Sequence, residues 1–269
     1  MTCGTNRLFD LTGKAAIVTG GGSGIGREIC DVLAEFGADV ACLDLHKDRA
    51  EETCEIIKKY GHKSLALAVD VSHYEEVCDS FQQVIAEFNK LDVLVNNAGI
   101  GPPSVLIDET DLKDWHRVID VNLHGVFYCM KEGLRIMRQQ KSGSVINVGS
   151  MLGISAAAPE ILAQSPYVTA KHGVIGLTKQ GAAEYGQFNI RVNCVAPGFH
   201  SGTRIAETLE IKPDAEEARV RQQMISSRTP LGRAAEAKEL KGILIYLASD
   251  SSAFTTGATI VSDGGWTVW

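Results

Sequence analysis

The chain has 269 residues, of which 45% are hydrophobic and 22% are charged, a balance that excludes a disordered or fibrous protein. Its 26 basic and 33 acidic residues give a net charge of −7, and the lack of a long basic stretch argues against a nucleic-acid partner. Seven cysteines without metal-ligand spacing indicate reduced thiols. No signal peptide and no run of about 18 apolar residues is found, so we expect a soluble, cytoplasmic protein without membrane contact.

Seven short apolar runs predict β-strands, and segments with apolar residues at three- and four-residue steps predict helices between them. The predicted strands are 15–19, 39–43, 64–69, 91–95, 144–148, 190–195 and 259–261. This succession predicts an α/β fold: a single Rossmann-type, doubly wound domain over 1–269, with a seven-stranded parallel sheet and helices on both faces. Ligands of such sheets bind beyond the carboxyl ends of the strands. The charged segment 199–235 is expected to form a lid over that site.

A run of glycines follows the first predicted strand and leads directly into a helix. Its residues are Gly20, Gly21, Gly22, Ser23, Gly24, Ile25 and Gly26. Backbone N–H groups and the helix dipole at such a turn suit a pyrophosphate. A glycine-rich turn alone is often only a turn, but the strand before it and the helix after it predict a dinucleotide site.

The second predicted strand ends at Asp44, which lies 18 residues beyond Gly26. An acidic residue about 20 residues past such a loop holds the adenosine ribose hydroxyls and repels a 2′-phosphate, so NAD is favoured over NADP. Lys47 and Arg49 lie nearby and would supply the charge for NADP if their loop folds inward. Alternatively, Asp44 caps the following helix.

Two more turns follow the third and fourth predicted strands. Asp70 and Val71 end the third strand, and Asn97 and Gly99 lie in the Asn-Asn-Ala-Gly turn after the fourth. Small residues and an amide there would let the backbone approach a flat ring and a ribose. A helix cap at Asp70 and a plain turn at 96–99 are the alternatives.

Tyr167 and Lys171 lie four residues apart at the start of a helical run, so their side chains share one face. A neighbouring ammonium and an oxidised nicotinamide would lower the pKa of the phenol toward the range of a general base. Ser150, directly after the fifth strand, could hydrogen-bond the same substrate oxygen. Without other support, such a Tyr/Lys pair is more often an ordinary pair on a helix surface.

From Leu11 onward the whole chain resembles the short-chain dehydrogenase/reductase family. The motifs, in family order, are Thr19-Gly20-x-x-x-Gly24-x-Gly26, Asn96-Asn97-Ala98-Gly99, Asn122, Ser150, Tyr167-x-x-x-Lys171, Pro197-Gly198 and the closing Asp263-Gly264-Gly265. The resemblance implies that Ser150, Tyr167 and Lys171 are catalytic, and that Asn122 bends its helix so that water links Lys171 to solvent. It also implies that Lys171 binds the nicotinamide ribose.

The same resemblance implies further properties of the site and the assembly. The adenosine half of the cofactor would be held by Asp44, Asp70, Val71 and Asn97. No metal is required, and the expected assembly is a homotetramer, or a homodimer. The expected ligands are NAD and a small alcohol or ketone.

Three departures from the family pattern concern the substrate end of the site. Ser150 and Tyr167 are 17 residues apart, a few more than is usual, so Met151–Pro166 is expected to carry an extra turn that helps fix specificity. After Pro197 and Gly198 the usual threonine is displaced, and Thr203 is assigned to the nicotinamide amide. Gly149 replaces a second serine, which leaves Ser150 as the candidate hydroxyl.

The segments 230–233 and 263–266 are similar to those of sugar-acid and polyol dehydrogenases of the family, such as gluconate 5-dehydrogenases. The sequence therefore predicts an NAD-dependent oxidoreductase of a sugar acid, sugar or polyol. The enzymatic alternatives are an NADPH-linked carbonyl reductase and a hydroxysteroid or cyclic-alcohol dehydrogenase. A non-catalytic nucleotide sensor, which binds NADH without turnover, is the alternative from another class.

Overall fold

A computed structural model of the protein describes residues 8–156, 158–202 and 215–268. Its strands are β1 (Ala15–Thr19), β2 (Asp39–Asp44), β3 (Ser64–Ala68), β4 (Val93–Asn96), β5 (Gly143–Val148), β6 (Ile190–Pro197), β7 (His200–Ser201), β8 (Ala235–Glu236) and β9 (Thr259–Ser262). Seven of these form one parallel sheet in the order β3-β2-β1-β4-β5-β6-β9. The predicted Rossmann-type α/β fold with seven parallel strands is confirmed.

Helices cover both faces of this sheet. They are α1 (Gly24–Glu35), α2 (Lys47–Ile57), α3 (Tyr74–Phe88), α4 (Leu112–Ile119), α5 (Gly125–Gln140), α6 (Ser165–Tyr185), α7 (Ala215–Arg228) and α8 (Lys241–Ala248). The apolar sides of α1, α2 and α8 pack into one core layer, and those of α3, α5 and α6 pack into the other. Consecutive β1 residues face opposite layers, Ile17 and Val18 being fully buried in different cores. This is why the strand sequences do not alternate between apolar and polar residues.

The order of the strands places the ligand site. The chain builds β2 and β3 on one side of β1, then crosses to β4 and β5 on the other side. Loops that leave the carboxyl ends of β1 and β4 therefore run in opposite directions and leave a crevice between them. Val18 pairs with Val95 near this edge of the sheet.

A second, two-stranded sheet joins the two ends of the segment predicted as a lid. In it, β7 pairs in parallel with β8, with His200 opposite Ala235 and Ser201 opposite Glu236. Helix α7 lies between these strands in the chain. In the part of the chain that the structure describes, no helix is long and apolar enough to cross a membrane.

Candidate active site

A cleft of about 820 Å³ opens at the carboxyl ends of β1, β2 and β4, a volume within the usual range for ligand sites. Its lining includes ten residues that the sequence nominates for cofactor binding: Gly20, Ser23, Gly24, Ile25, Gly26, Asp44, Asp70, Val71, Asn97 and Gly99. Residues from four separate loops thus come together along one crevice.

Missing side chains shape the glycine-rich loop. A Cβ atom on Gly26 would lie 1.9 Å from the carbonyl oxygen of Gly20, so α1 can pack this closely against the loop only with glycine there. Gly20 has a φ of +62°, and a Cβ atom on it would lie 2.8 Å from the Cα atom of Ala98. Ser23 precedes α1 without a side-chain cap to the helix. This bare backbone and helix start provide a cradle that fits a pyrophosphate.

Two polar side chains that the sequence analysis missed hold this loop from behind. The Arg27 guanidinium donates a hydrogen bond to the Gly22 carbonyl oxygen at 2.6 Å. The Thr53 hydroxyl donates to the Gly21 carbonyl oxygen at 3.1 Å and accepts from Arg27 at the same distance. Because Thr53 lies on α2, no local sequence pattern signals this contact.

Asn97 ties the loop after β4 to the loop after β1. Its side-chain amide donates to the carbonyl oxygens of Thr19 and Gly20, each at 3.0 Å. The Thr19 hydroxyl accepts in return from the backbone N–H groups of Asn97, at 3.0 Å, and Ala98, at 3.1 Å. The amide protons of Asn97 thus hold the two loops together, and the backbone around Gly99 lines the cleft.

The Asp44 carboxylate is buried at the rim of the cleft and is held by two backbone groups. It accepts hydrogen bonds from the N–H of Gly22 at 2.9 Å and from the N–H of His46 at 3.0 Å. A Cβ atom on Gly22 would lie 2.7 Å from the carboxylate. The residue that precedes α2 is His46, so Asp44 is not the cap of this helix, and it retains acceptor capacity toward the cleft.

Of the two cations near Asp44, one lines the cleft and the other does not. Arg49 is part of the lining, and a Cβ atom on Gly22 would lie 2.7 Å from its Cβ atom. Lys47 pairs with Glu51 at 3.6 Å on the exposed side of α2. The loop thus brings a positive charge close to Asp44 through Arg49 alone of this pair.

Asp70 and Val71 line the cleft while also shaping the turn after β3. The Asp70 carboxylate accepts from the N–H of Ser72 at 2.9 Å and from its hydroxyl at 2.6 Å. The Val71 side chain packs on Gly125, where a Cβ atom would lie 2.8 Å from it. His73 precedes α3, so Asp70 does not cap that helix.

Asn122 is fully buried in a π-helical segment, Asp120–His124, between α4 and α5. Its side-chain oxygen accepts from the Ile100 N–H and its amide donates to the Ile100 carbonyl, both at 2.8 Å. The helix therefore departs from α-geometry at this residue, where the family resemblance implies a bend. A widened turn of this kind is common at functional sites.

Ser150, Tyr167 and Lys171 come together, almost fully buried, at the carboxyl end of β5. The side chain of Ser150 hydrogen-bonds to the phenol of Tyr167. The Lys171 Nζ atom donates to the Val148 carbonyl oxygen at 2.8 Å and lies 5.5 Å from the centroid of the Tyr167 ring. None of the three lines the described part of the cleft, which ends near Ile100.

Burial dominates the titration of both reactive side chains. It raises the pKa of Tyr167 to about 12, although the hydrogen bond from Ser150 acts in the opposite direction. It lowers the pKa of Lys171 to about 8, against a smaller opposing effect of Cys194. The sequence analysis expects a lowered phenol pKa, whereas the protein groups alone raise it. The reason is that Lys171 directs its hydrogen bond to Val148 and is itself desolvated.

The segment between Ser150 and Tyr167 begins with a 3₁₀ turn, Met151–Gly153, and then reaches across to the loop after β4. Val105 forms an isolated bridge with Gln164, and its N–H donates to the Ala163 carbonyl at 3.0 Å. The Gln164 amide donates to the Pro102 carbonyl, also at 3.0 Å. This segment is thus an anchored wall beside Tyr167.

Pro197 and Gly198 end β6 and lie against β9. The Gly198 N–H donates to the Ser262 carbonyl at 2.9 Å, and a Cβ atom on Gly198 would lie 2.6 Å from the Cα atom of Asp263. Neither residue is part of the described cleft lining. Thr203 lies outside the described residues, as does the whole range 203–214 of the predicted lid. No cluster of three or more potential metal ligands occurs within the described ranges.

Comparison with known proteins places this geometry in a family. Residues 20–267 match the family described as Enoyl-(Acyl carrier protein) reductase. The chain is 35% identical to the 3-oxoacyl-[acyl-carrier-protein] reductase of Thermotoga maritima, over 95% of this chain and 98% of the relative. The chain belongs to the short-chain dehydrogenase/reductase family. It is therefore an oxidoreductase of alcohols and ketones, and its family binds a nicotinamide cofactor.

Two further members have printed substrates of different kinds. The chain is 38% identical to the cis-4-hydroxycyclohexanecarboxylate dehydrogenase of Sinomonas cyclohexanicum, over 94% of this chain and 96% of the relative. A crystal structure of a putative gluconate dehydrogenase from Agrobacterium tumefaciens superposes with a TM-score of 0.87 at 31% identity, over 97% of this chain and 98% of that one. The resemblance to gluconate dehydrogenases is thus one among several within the family.

Proposed function

We propose that this protein is an NAD(H)-dependent oxidoreductase that interconverts a secondary alcohol and a ketone, with Ser150, Tyr167 and Lys171 as its catalytic residues. The observation that carries the proposal is the contact between Ser150 and the Tyr167 phenol, with Lys171 beside the same ring. This group lies at the carboxyl edge of the sheet, as does the cleft with the glycine cradle.

In this proposal the nicotinamide, when bound, takes up or supplies the hydride. Tyr167 takes the hydroxyl proton of the alcohol during oxidation and returns it to the ketone oxygen during reduction. The Ser150 hydroxyl hydrogen-bonds the same substrate oxygen and orients it. A protonated Lys171 favours the phenolate form of Tyr167 and binds ribose hydroxyls, while Asn122 keeps the adjoining helix open for a water connection.

The cleft residues divide the cofactor between them. The loop Gly20–Gly26 would hold the pyrophosphate, and Asp44 would accept from the adenosine ribose hydroxyls. Asp70, Val71, Asn97 and Gly99 would form the adenine and ribose walls, while Pro197, Gly198 and Thr203 would hold the nicotinamide end. The buried Asp44 carboxylate supports NAD, and the position of Arg49 at the same rim supports NADP as the alternative.

For the substrate, the sequence predicts a sugar acid, sugar or polyol, and the likeness to the Agrobacterium protein supports this prediction. The likeness to the Sinomonas dehydrogenase supports the alternative of a cyclic alcohol. We also retain, as proposals, a lid over 199–235, a homotetramer or homodimer, and a cytoplasmic location. The exposed Phe127 on α5 is an apolar side chain that a second subunit would cover.

The test is to follow NADH formation by absorbance with a panel of sugar acids, polyols, cyclic alcohols and hydroxysteroids. The blank is Tyr167→Phe. Turnover of one class that is lost in this variant supports the proposal. Tight NADH binding without turnover of any substrate would favour the nucleotide-sensor alternative instead.

A further inference from the structure

We infer that the substrates are compact, apolar-ring alcohols and ketones, and that Ile161 and Trp266 select them. The inference rests on the proposed function, since it takes Tyr167 as the group that meets the substrate hydroxyl. It narrows the substrate class from among the candidates above and names two specificity residues that the sequence analysis does not.

The first observation is the set of side chains packed with Tyr167. Five buried apolar residues share one cluster with it: Val118, Met151, Leu152, Ile161 and Trp266. They come from α4, from the segment before α6 and from the end of the chain. The region next to the reactive phenol is thus walled by hydrocarbon and an indole ring.

The position of Trp266 is built by the C-terminal turn. The Asp263 carboxylate accepts from the N–H groups of Gly265 and Thr267 and from the Thr267 hydroxyl, at 2.7 to 2.9 Å. The Trp266 ring meets the edge of Phe199, with a centroid distance of 5.0 Å, and the Arg228 guanidinium lies 5.2 Å from its centroid. The indole is therefore a held surface, suited to contact a flat or puckered ring.

Ile161 is held in a comparable way, in the segment that is longer than the family pattern. Its N–H donates to the Ala158 carbonyl at 2.9 Å, and the N–H of Ala163 donates to the Ser104 hydroxyl at the same distance. These bonds, with the bridge between Val105 and Gln164, fix the backbone on both sides of Ile161. The extra residues thus present an apolar side chain beside Tyr167.

The roof of the cluster is apolar as well, because Met224 of α7 packs against it. A sugar acid would bring several hydroxyl groups against these walls, and each would lose water without gaining a hydrogen-bond partner from them. A cyclohexane-sized ring would instead bury its surface against Ile161, Trp266 and Met224. The chemistry of the walls therefore selects rings with few polar substituents.

The test compares kcat/KM for cyclohexanol and for D-gluconate, with NAD, in the full-length protein. We expect a preference for cyclohexanol of about 100-fold or more, because an apolar site alone discriminates about this strongly against added hydroxyl groups. Ile161→Asn should raise KM for cyclohexanol about 10-fold while changing kcat less. The matched control is Ile107→Asn, because Ile107 is 79% exposed and lies outside the cluster.

A second variant keeps the test independent of folding. Ile161→Ala shortens the wall beside Tyr167, so turnover of a bicyclic alcohol such as decahydro-2-naphthol should rise about 10-fold relative to cyclohexanol. A gain of this kind cannot come from a misfolded protein. An unchanged ratio in both Ile161 variants would overturn the role of this residue.

Binding is measured separately from turnover by the fluorescence of Trp266, in a Trp115→Phe, Trp269→Phe background. Saturable quenching by cyclohexanol that is lost in Ile161→Asn, without turnover of any substrate, would uphold the apolar site and refute the proposed catalysis. Tyr167-dependent turnover of gluconate in preference to cyclohexanol would uphold the catalysis and overturn the inference. Neither saturable binding nor turnover would overturn both.

Discussion

Lys171 directs its Nζ hydrogen bond to the Val148 carbonyl, at 2.8 Å, and presents its charge to the Tyr167 ring from 5.5 Å. The two side chains are neighbours on α6, but no hydrogen bond joins them in the described structure. The protein groups therefore leave both side chains in their uncharged forms near pH 9, because burial raises one pKa to about 12 and lowers the other to about 8. Activation of Tyr167 must come from a ligand that stabilises the charged pair.

The lowered pKa of Lys171 predicts a gain in folding stability with rising pH. Its folded value of about 8 lies below the ordinary 10.5, so between these pH values the unfolded chain binds more protons and stability increases. From pH 8 to 9.5 the free energy of unfolding should rise on the order of 1 kcal/mol more for the wild type than for Lys171→Met. Tyr167 opposes this only above pH 10, where its raised pKa lowers stability.

Denaturant unfolding of both proteins at several pH values measures this difference. The control is Lys179→Met, which removes an exposed lysine from the same helix and should keep the wild-type slope. Equal slopes for the wild type and Lys171→Met would show that Lys171 is not desolvated.

Removal of the phenol hydroxyl predicts a loss of catalysis with retention of cofactor binding. Tyr167→Phe should lower kcat by about 10²- to 10⁴-fold, since it removes the general acid and base. NADH affinity, measured by fluorescence titration, should change less than about threefold, because the Tyr167 hydroxyl is not needed for the glycine cradle. Tyr185→Phe, at the far end of α6, is the matched control and should keep full activity. A Tyr167→Phe protein with near-normal kcat would refute the assignment.

Neutralising Asp44 predicts a change in cofactor choice. Asp44→Asn keeps an oxygen that can accept from the Gly22 N–H but removes the charge that repels a 2′-phosphate. The ratio of kcat/KM for NADP to that for NAD should rise about 10-fold or more. Adding Arg49→Ala should cancel most of this gain, since Arg49 lines the same rim.

The control for this prediction is Asp48→Asn, an exposed acidic residue in the first turn of α2. It changes the net charge equally and should leave the cofactor ratio unchanged. If both variants shift the ratio alike, the preference reflects overall charge and not the contact with the ribose.

The close packing of α1 on its loop predicts a steep cost for a single methyl group. In Gly26→Ala the new Cβ atom would lie 1.9 Å from the Gly20 carbonyl, so loop and helix must separate, at a cost of about 3 kcal/mol of stability. NADH affinity should fall with it. Gly242→Ala is the matched control, because nothing lies within 4 Å of its Cβ position in α8. Thermal unfolding should show a lowered Tm for Gly26→Ala alone.

Much of the fold and part of the site follow from local sequence patterns. The apolar runs predict the seven strands of the sheet because strands buried on both faces need apolar residues at every position. The glycine run marks the cradle because no residue with a Cβ atom fits at Gly26. The spacing of Tyr167 and Lys171 places both on one helix face because an α-helix repeats every 3.6 residues.

The partners of the side chains were decided by the tertiary structure alone. Asn97 spends its amide on Thr19 and Gly20, Thr53 holds the glycine loop from another helix, and Lys171 donates to a strand carbonyl. Trp266 and Ile161 meet near Tyr167 although they are distant in sequence. Local patterns encode the elements because backbone periodicity is local, whereas burial, hydrogen-bond partners and the polarity of a pocket depend on which distant elements the sheet brings together.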